Sequence, residues 1–290
     1  MKTLCAFLLL SIAAVSASAA PIKALIIDGQ NNHEWQVTTP HLKSILEQTG
    51  LFHVDVATTP PKGGDLSGFR PTFSDYGLVI SNYMGDAWPA ATQAAFVDYV
   101  RGGGGFVVVH SADNAFPAWK DYNAICGLGG WEGRNEQWGP YVYWDGTKIV
   151  RDPSPGPGGS HGNVHAFQVV IREPDHPITH GLPTTWMHAA DELYNRLRGP
   201  AENLTVLATA YDDPANRGSG RHEPILFTVT YGQGRIFHTP LGHVRKGDLT
   251  AMRCVGFIVT LQRGAEWAAT GRVTQALPAD FPQAETVSLR

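Results

Sequence analysis

The sequence predicts an α/β fold built around an open sheet, and two observations carry that prediction. Residues 106–109 form a short apolar run, FVVV, which follows four glycines and is typical of a strand buried on both faces. The N-terminal part alternates strand, helix and strand, which implies parallel strands joined by a right-handed crossover. Ligands of open α/β sheets bind beyond the carboxyl ends of the strands, so functional residues are expected there.

The first half of the chain supplies the parallel strands. Apolar runs bounded by turn residues predict strands at 22–27, 52–57, 76–81 and 106–109. Helices are predicted between them. Thr38 and Thr39 suit the cap of one helix, with Pro40 in its first turn and Gly50 at its end, and Pro89 opens another.

The second half combines a long irregular segment with further strands. After a short helix at 116–126, residues 127–160 show no strong periodicity, and segments of this length are usually functional or covering loops. A terminal apolar helix is predicted at 249–262. The predicted strands of this half lie at 164–171, 191–197 and 204–211, with a hairpin at 225–231 and 235–238.

Composition bounds the class of protein. Of the 290 residues, 43% are hydrophobic and 17% are charged, which suffices for a sizeable core and excludes general disorder. The net charge of -4 argues against nucleic acid as a partner. Twelve histidines make metal binding or acid–base chemistry the functional classes to consider.

The N-terminus has the pattern of a signal peptide at residues 1–19. Lys2 precedes an apolar stretch that is too short to span a membrane, and Ala17 and Ala19 form a small-residue cleavage site. We therefore expect export, to a periplasm or as a secreted protein, without stable membrane insertion. Cys126 and Cys254 would remain and form either one disulfide or none.

Ionisable side chains follow several predicted strands. His110 is the first residue after the central strand, His33 follows the first strand, and His243 follows the hairpin. Any of them alone is equally well explained as a structural histidine. The functional interpretation depends on whether other groups converge on the same crevice; the candidates are Asp113, His161, His165, Glu192 and Glu223.

Two kinds of chemistry fit these residues, and the sequence leaves the choice open. A zinc site needs three or four His, Cys, Asp or Glu ligands, and His161 with His165 has the spacing of a ligand pair, although the intervening Gly162 argues against a helix. Without a metal, the same groups would serve as general acid and base. A Ser111 nucleophile is disfavoured because the Gly-x-Ser-x-Gly motif is absent.

An ordered series of motifs resembles the ThuA-like family of trehalose-utilisation proteins. The series spans most of the chain, from about residue 22 to residue 262. It comprises NHEW (32–35), GGFVVVHSAD (104–113), HAF (165–167), DHPITHG (175–181), DELY (191–194), HEPILF (222–227) and YGQGRIFHTPLGH (231–243).

The resemblance implies a three-layer, flavodoxin-like sandwich with a mostly parallel central sheet, as in class I glutamine amidotransferases. Together with the signal-peptide pattern at 1–19, it divides the chain into that signal peptide, a ThuA-like domain (20–265) and a C-terminal tail (266–290). In that superfamily a nucleophilic cysteine follows the central strand. Here His110 occupies that position, so glutaminase chemistry by a cysteine triad is not expected.

The function implied is an enzyme of disaccharide or keto-glycoside catabolism, a hydrolase or lyase with a small-molecule carbohydrate substrate. We expect His110, Glu192 and Glu223 to be catalytic, and His161 and His165 to hold any metal, with zinc as the candidate cofactor. The expected substrate-binding residues are His33, Trp35, Asp113, Trp138 and His243. A non-catalytic sugar-binding protein and a metal-dependent hydrolase of a non-sugar substrate remain alternatives, as does assembly into a homo-oligomer.

Overall fold

The structure, a computed structural model, describes residues 20–290. The predicted signal peptide at 1–19 lies outside the described residues. The described chain has an α/β fold in which a central, mixed sheet is flanked by helices. Among residues 20–290, we find no helix with the length and apolar character needed to cross a bilayer.

The N-terminal half forms the parallel part of the sheet. Its strands lie side by side in the order β2-β1-β3-β4, and neighbouring strands run parallel, as the strand–helix–strand pattern predicts. The elements are β1 (Ile22–Asp28), α1 (Trp35–Glu47), β2 (Phe52–Thr58), β3 (Leu78–Ser81), α2 (Ala90–Arg101) and β4 (Gly105–Val109).

Helix α1 begins three residues before the predicted cap. Trp35 is its first residue, and Pro40 lies inside it rather than in its first turn. The hydroxyl groups of Thr38 and Thr39 do not cap the helix; both accept hydrogen bonds from the Asn82 side chain, on the loop after β3. The prediction of a threonine cap was wrong because this tertiary contact uses the side chains that a local cap would have required.

The C-terminal half extends the sheet with mostly antiparallel strands. Strand β13 pairs parallel with β4, and the sheet continues through β12, β11, β8 and β9 in antiparallel pairs. The elements are α3 (Lys120–Cys126), β5 (Tyr141–Trp144), β6 (Ile149–Asp152), β7 (Ser160–His161), β8 (His165–Ile171), β9 (Thr185–Asp191), β10 (Tyr194–Asn195), β11 (Leu204–Tyr211), β12 (His222–Tyr231), β13 (Gly234–Thr239), α4 (Thr250–Arg253) and α5 (Val255–Thr270).

Two predicted elements of this half are divided in the structure. The strand predicted at 191–197 is instead the end of β9 at Asp191, a break at Glu192, and the two-residue strand β10. The Asp191 carboxylate accepts a hydrogen bond from the Glu192 N–H, which turns the backbone out of the sheet. The terminal helix predicted at 249–262 is interrupted at Cys254, whose backbone is non-helical.

Apolar cores lie on both faces of the sheet. Successive residues of β1 alternate between them: Ala24 and Ile26 belong to the core packed by α1 and α5, whereas Leu25 and Ile27 belong to the core packed by α2 and α3. This double burial explains why the parallel strands are continuous apolar runs in the sequence. The described cysteines are buried and free, so Cys126 and Cys254 form no disulfide.

Residues 127–160 contain a hairpin, β5 and β6, and are held by two buried arginines. The Arg134 guanidinium donates hydrogen bonds to the carbonyl oxygens of Asn114, Ala115 and Gly130 and to the Asn123 side chain. Arg198 donates to three carbonyl oxygens of the same segment, at residues 139, 154 and 156. The segment is therefore fixed to the body of the protein although its sequence lacks periodicity.

The C-terminal residues pack against the body of the protein. Helix α5 continues through the predicted tail boundary to Thr270, and Phe281 packs edge-on against Trp186 with ring centroids 5.4 Å apart. Arg290 pairs with Asp280 at 2.6 Å.

We expect Arg134→Ala to lower the free energy of unfolding by about 3 kcal/mol or more, because several buried carbonyl oxygens lose their donors. Urea denaturation followed by tryptophan fluorescence measures the change. The control is Arg70→Ala, which removes an exposed arginine and should alter the free energy of unfolding by less than about 0.5 kcal/mol. Equal effects of the two substitutions would contradict the anchoring role of Arg134.

Glu223 is a buried carboxyl group on β12, opposite Ala210 of β11. Its Oε1 accepts a hydrogen bond from the Ser219 hydroxyl at 2.7 Å. Burial raises the pKa of Glu223 to about 7, and the negative charge of Asp212 adds to the rise. The folded state therefore holds a proton on Glu223 that the unfolded state releases at lower pH.

The raised pKa of Glu223 makes stability pH-dependent. The stabilisation is complete below the unfolded pKa and is lost as the pH rises through 7. Between pH 5 and pH 8 the wild type should lose about 2 to 3 kcal/mol of unfolding free energy that Glu223→Gln does not lose. Urea denaturation at both pH values tests this, with the exposed Glu202→Gln as control. Parallel pH profiles for wild type and Glu223→Gln would refute it.

Candidate functional site

Three histidines and one glutamate converge where several strands end. His33 follows β1, His110 follows β4 and His243 follows β13, and Glu192 lies just beyond the end of β9. Because β1, β3, β4 and β13 are parallel neighbours, the loops at their carboxyl ends meet at one edge of the sheet. The sequence thus placed these histidines correctly at strand ends, and the sheet order brings them together.

The Glu192 carboxylate is the centre of the cluster. Its Oε2 lies 3.0 Å from Nδ1 of His243, 3.9 Å from Nε2 of His110 and 4.0 Å from Nε2 of His33. Its Oε1 lies 3.6 Å from Nε2 of His161. One ligand atom from each of His33, His110, Glu192 and His243 lies within 4.8 Å of all the others, a geometry able to hold a metal ion.

Hydrogen bonds fix the tautomers of two of the imidazoles. Nδ1 of His110 lies 2.8 Å from the Pro240 carbonyl oxygen, which can only accept, so this nitrogen carries the proton. Nδ1 of His33 lies 2.9 Å from Oδ1 of Asn32 and donates in the same way. Both Nε2 atoms therefore carry a lone pair, as metal-binding histidines require, and that of His110 accepts a hydrogen bond from the Tyr194 hydroxyl at 3.2 Å.

The protonation states of the clustered side chains are compatible with cation binding. Burial and the neighbouring His243 lower the pKa of His33 to about 4. Burial and the neighbouring His33 hold the pKa of His110 well below its usual range. Burial alone would raise the pKa of Glu192, but the adjacent His243 lowers it. Near neutral pH His33 and His110 thus offer uncharged imidazoles and Glu192 offers an ionised carboxylate, the forms in which these groups bind metals.

Nδ1 of His243 is buried without a hydrogen-bond partner among the described residues, although Glu192 is close. A buried polar atom without a partner costs free energy, so such atoms in native proteins call for an explanation. A cation between His243 and Glu192 would satisfy both groups.

The loops that carry the histidines are connected to one another. Oδ1 of Asn31 accepts hydrogen bonds from the His33 N–H and from the Ser111 hydroxyl, which joins the loops after β1 and β4. His110 itself has a left-handed backbone, with φ of 48°. Such a conformation is costly for a non-glycine residue and is common at functional sites.

Asp191 positions the loop after β13. This buried carboxylate accepts hydrogen bonds from the N–H groups of Gly242 and His243 at 2.8 and 3.0 Å. Its Oδ2 also lies 2.9 Å from Nε2 of the buried His188. Adjacent residues thus have different roles, since Asp191 holds the His243 backbone while Glu192 faces the His243 side chain.

His33, Glu192 and His243 line a pocket of about 460 Å³, whose walls are partly aromatic, and the buried His110 lies behind this lining. The Tyr194 ring lies against the His110 ring with centroids 4.5 Å apart, and its hydroxyl is 3.2 Å from Nε2 of His110. Trp131 packs on Tyr194 at 4.7 Å, and His161 completes this wall. Tyr194 was missed as a functional residue, although its position two residues after Glu192 in the DELY motif pointed to it.

Three further predicted residues differ in whether they line a pocket. His161 lines the pocket, whereas His165 is not among the lining residues and its Nδ1 contacts the Asn163 carbonyl instead. Trp35 lines an adjoining pocket rather than the one that contains the cluster.

The other predicted residues lie away from the cluster. Asp113 is buried, with Oδ2 3.5 Å from Nε2 of His238. Trp138 lines a separate cavity and donates a hydrogen bond to the Pro117 carbonyl. Glu223 is buried on β12, where its carboxyl group contacts Ser219, and it does not line the pocket.

Comparison with solved structures reveals closely similar proteins. A ThuA-like protein from Parabacteroides merdae ATCC 43184 is 56% identical, with a TM-score of 0.91 over 93% of this chain and 98% of that chain. A ThuA-like protein from Bacteroides uniformis ATCC 8492 is 20% identical, with a TM-score of 0.59 over 90% and 97% of the two chains. A cytoplasmic protein from Salmonella typhimurium LT2, 15% identical with a TM-score of 0.51 over 85% and 99%, shares the fold.

The comparison with curated proteins found no match. The ThuA family, described as trehalose utilisation, matches residues 23–268, which include the four clustered residues and nearly all of the sheet. Together with the 56% identity to the Parabacteroides merdae protein, this match confirms the resemblance seen in the sequence motifs. The chain belongs to the ThuA family.

Proposed function

We propose that this protein is a metal-dependent enzyme acting on a disaccharide or keto-glycoside, with His33, His110, Glu192 and His243 as the metal ligands. The observation that carries the proposal is the convergence of these four side chains, whose ligand atoms lie within 4.8 Å of one another. The family description, trehalose utilisation, supports a sugar as the substrate.

Zinc suits the donor set better than magnesium or calcium, because three of the four ligands are imidazoles. Ligand atoms of a tetrahedral zinc site lie about 3.4 Å apart, so the separations of 3.0 to 4.0 Å around Glu192 and of up to 4.8 Å within the cluster would shorten or lengthen on binding as the four side chains adjust. A bound zinc ion would supply Lewis-acid polarisation of a substrate oxygen. Neither member of the predicted metal pair is among the proposed ligands. His165 does not line the pocket, and His161 lies beside the proposed site, next to Glu192.

The remaining pocket residues bind the sugar and move protons. Trp131 offers an aromatic face at the pocket wall, and apolar faces of sugar rings pack on such surfaces. The His161 imidazole lies in the pocket next to Oε1 of Glu192, where it can accept or donate a substrate proton. The Tyr194 hydroxyl can hold a substrate oxygen beside His110.

We further propose that the fold is the three-layer, flavodoxin-like sandwich of class I glutamine amidotransferases, with a domain at 20–265 and a tail at 266–290. Helices that pack on both sheet faces support it. In this arrangement His110 takes the place of the nucleophilic cysteine. Neither Cys126 nor Cys254 lines the pocket, which supports chemistry other than that of a cysteine triad.

We expect Glu192→Gln to lower the zinc affinity at least tenfold and to abolish turnover, because the variant keeps the shape of the side chain but removes its charge. His110→Ala should have the same effect, and the melting temperature of each apo protein should stay within a few degrees of the wild type. Zinc content after dialysis, measured by elemental analysis, and sugar products, measured by chromatography, test this.

The control for these variants is the exposed Glu202→Gln, which should bind zinc and turn over substrate like the wild type. Stoichiometric zinc in Glu192→Gln would refute the proposed ligand set. Full activity of metal-free wild-type protein would instead support acid–base chemistry by the same residues. Ligand-induced stabilisation without any product would support the non-catalytic, sugar-binding alternative.

Export is also part of the proposal, supported by the signal-peptide pattern of residues 1–19. Expression of the full-length gene in a Gram-negative host should yield periplasmic protein whose N-terminus is Ala20. N-terminal sequencing of the fractionated protein checks this. Recovery of protein beginning at Met1 from the cytoplasm alone would contradict it.

A further inference from the structure

A second pocket adjoins the metal pocket. Its volume is about 450 Å³, and it is lined by the loop after β1 and the start of α1. The two pockets share Asn32, Met84 and Glu132 as lining residues, so they are neighbouring parts of one groove. We call the second one the Trp35 pocket. Both volumes fall in the range of small-molecule binding sites, about 300 to 1,000 Å³.

The Trp35 pocket offers the side chains that bind neutral sugars. Trp35 supplies a half-buried aromatic ring, and Gln36 and Lys62 supply hydrogen-bonding groups. Two other lining amides are already used: the Gln30 side chain bonds to Pro60 and Asp86, and that of Asn31 joins the neighbouring loops. By contrast, the Gln36 and Lys62 side chains make no hydrogen bond or ion pair with any residue in the range 20–290.

Glu132 stands at the junction of the two pockets on a strained turn. Trp131 and Glu132 have consecutive left-handed backbones, with φ of 51° and 47°. The turn is restrained by the Arg134 N–H, which donates to the Trp131 carbonyl, and by the Trp131 N–H, which donates to Gly158. The buried Arg134 side chain anchors it. The Glu132 carboxylate is exposed to the groove and has no partner within the described part of the chain.

We propose that the Trp35 pocket binds the second sugar unit of the substrate while the reacting unit occupies the metal pocket. Trp35 would pack on the apolar face of the second ring. Gln36 would bond its hydroxyl groups, and Glu132 would accept hydrogen bonds from hydroxyls near the linkage. The substrate is then a disaccharide or longer glycan rather than a monosaccharide. This inference rests on the proposed function, because it takes the metal pocket as the reacting site.

Titration calorimetry of the zinc-loaded protein with trehalose and with glucose tests the inference. The wild type should bind trehalose at least tenfold more tightly than glucose, since the disaccharide fills both pockets. Trp35→Ala and Gln36→Ala should each weaken trehalose binding by about five- to twentyfold, which corresponds to losing one stacking or hydrogen-bonding contact. Glucose affinity and zinc content should not change.

Gln233→Ala is the matched control. It removes an exposed glutamine from the turn between β12 and β13, at the opposite end of β13 from the site, and should bind trehalose like the wild type. Because Trp35 begins α1, Gln36→Ala keeps the test valid if Trp35→Ala fails to fold.

Two results would overturn the second sugar site while leaving the metal site intact. The first is that the wild type binds trehalose and glucose with equal affinity, and the second is that Gln36→Ala weakens the binding of both sugars equally. A different result is that the wild type binds no zinc and still binds trehalose more tightly than glucose, with a preference that Gln36→Ala removes. That result would support the second sugar site and refute the proposed metal ligands. The two proposals therefore fail in different ways.

Discussion

The Glu192 carboxylate is the constraint on which the rest of the site depends. Its two oxygens face four imidazole rings in a pocket where Glu192 is mostly shielded from water. Burial keeps His33 and His110 uncharged, so they cannot neutralise the carboxylate by protonation at ordinary pH. A buried charge without compensation is costly. The divalent cation proposed above would resolve this conflict, because neutral imidazoles could bind it while it balances the carboxylate.

The same constraint explains the loops around the cluster. To place Glu192 in the pocket, the chain must leave β9, and the adjacent Asp191 carboxylate receives the N–H groups of Gly242 and His243. Further along this loop, the N–H groups of Lys246 and Gly247 donate to the carboxylate of Glu34, the residue after His33. The loops after β1, β9 and β13 are thus tied by carboxylate–backbone hydrogen bonds, so the clustered side chains are positioned by the backbone and not only by their rotamers.

Much of this arrangement could be predicted from the sequence, because buried parallel strands appear as apolar runs and the residues after them lie at one sheet edge. His33, His110 and His243 were candidates on that basis, whereas Glu192 was a candidate although it was placed within a predicted strand at 191–197. Membership of the site depends on sheet order and on the direction of each side chain, which a single sequence does not contain. Asp113 lies only three residues after His110, but a turn of 3₁₀ helix directs it into the interior, towards His238. Glu223 likewise has the residue type of a catalytic acid, but it is a buried residue of strand β12 and does not line the pocket.

Several residues at the groove have backbone conformations of high energy. His110, Trp131 and Glu132 all have left-handed backbones, and each such residue costs on the order of 1 kcal/mol or more. These conformations persist because strong, buried interactions oppose them: the hydrogen bond from His110 to Pro240 for the first, and the Arg134 anchor for the other two. Since the opposing interactions are made within the protein, the groove has its shape before a ligand arrives. Binding in this groove would then need little further ordering of the chain, and the affinity of the sugar proposed above would depend mainly on the contacts it makes.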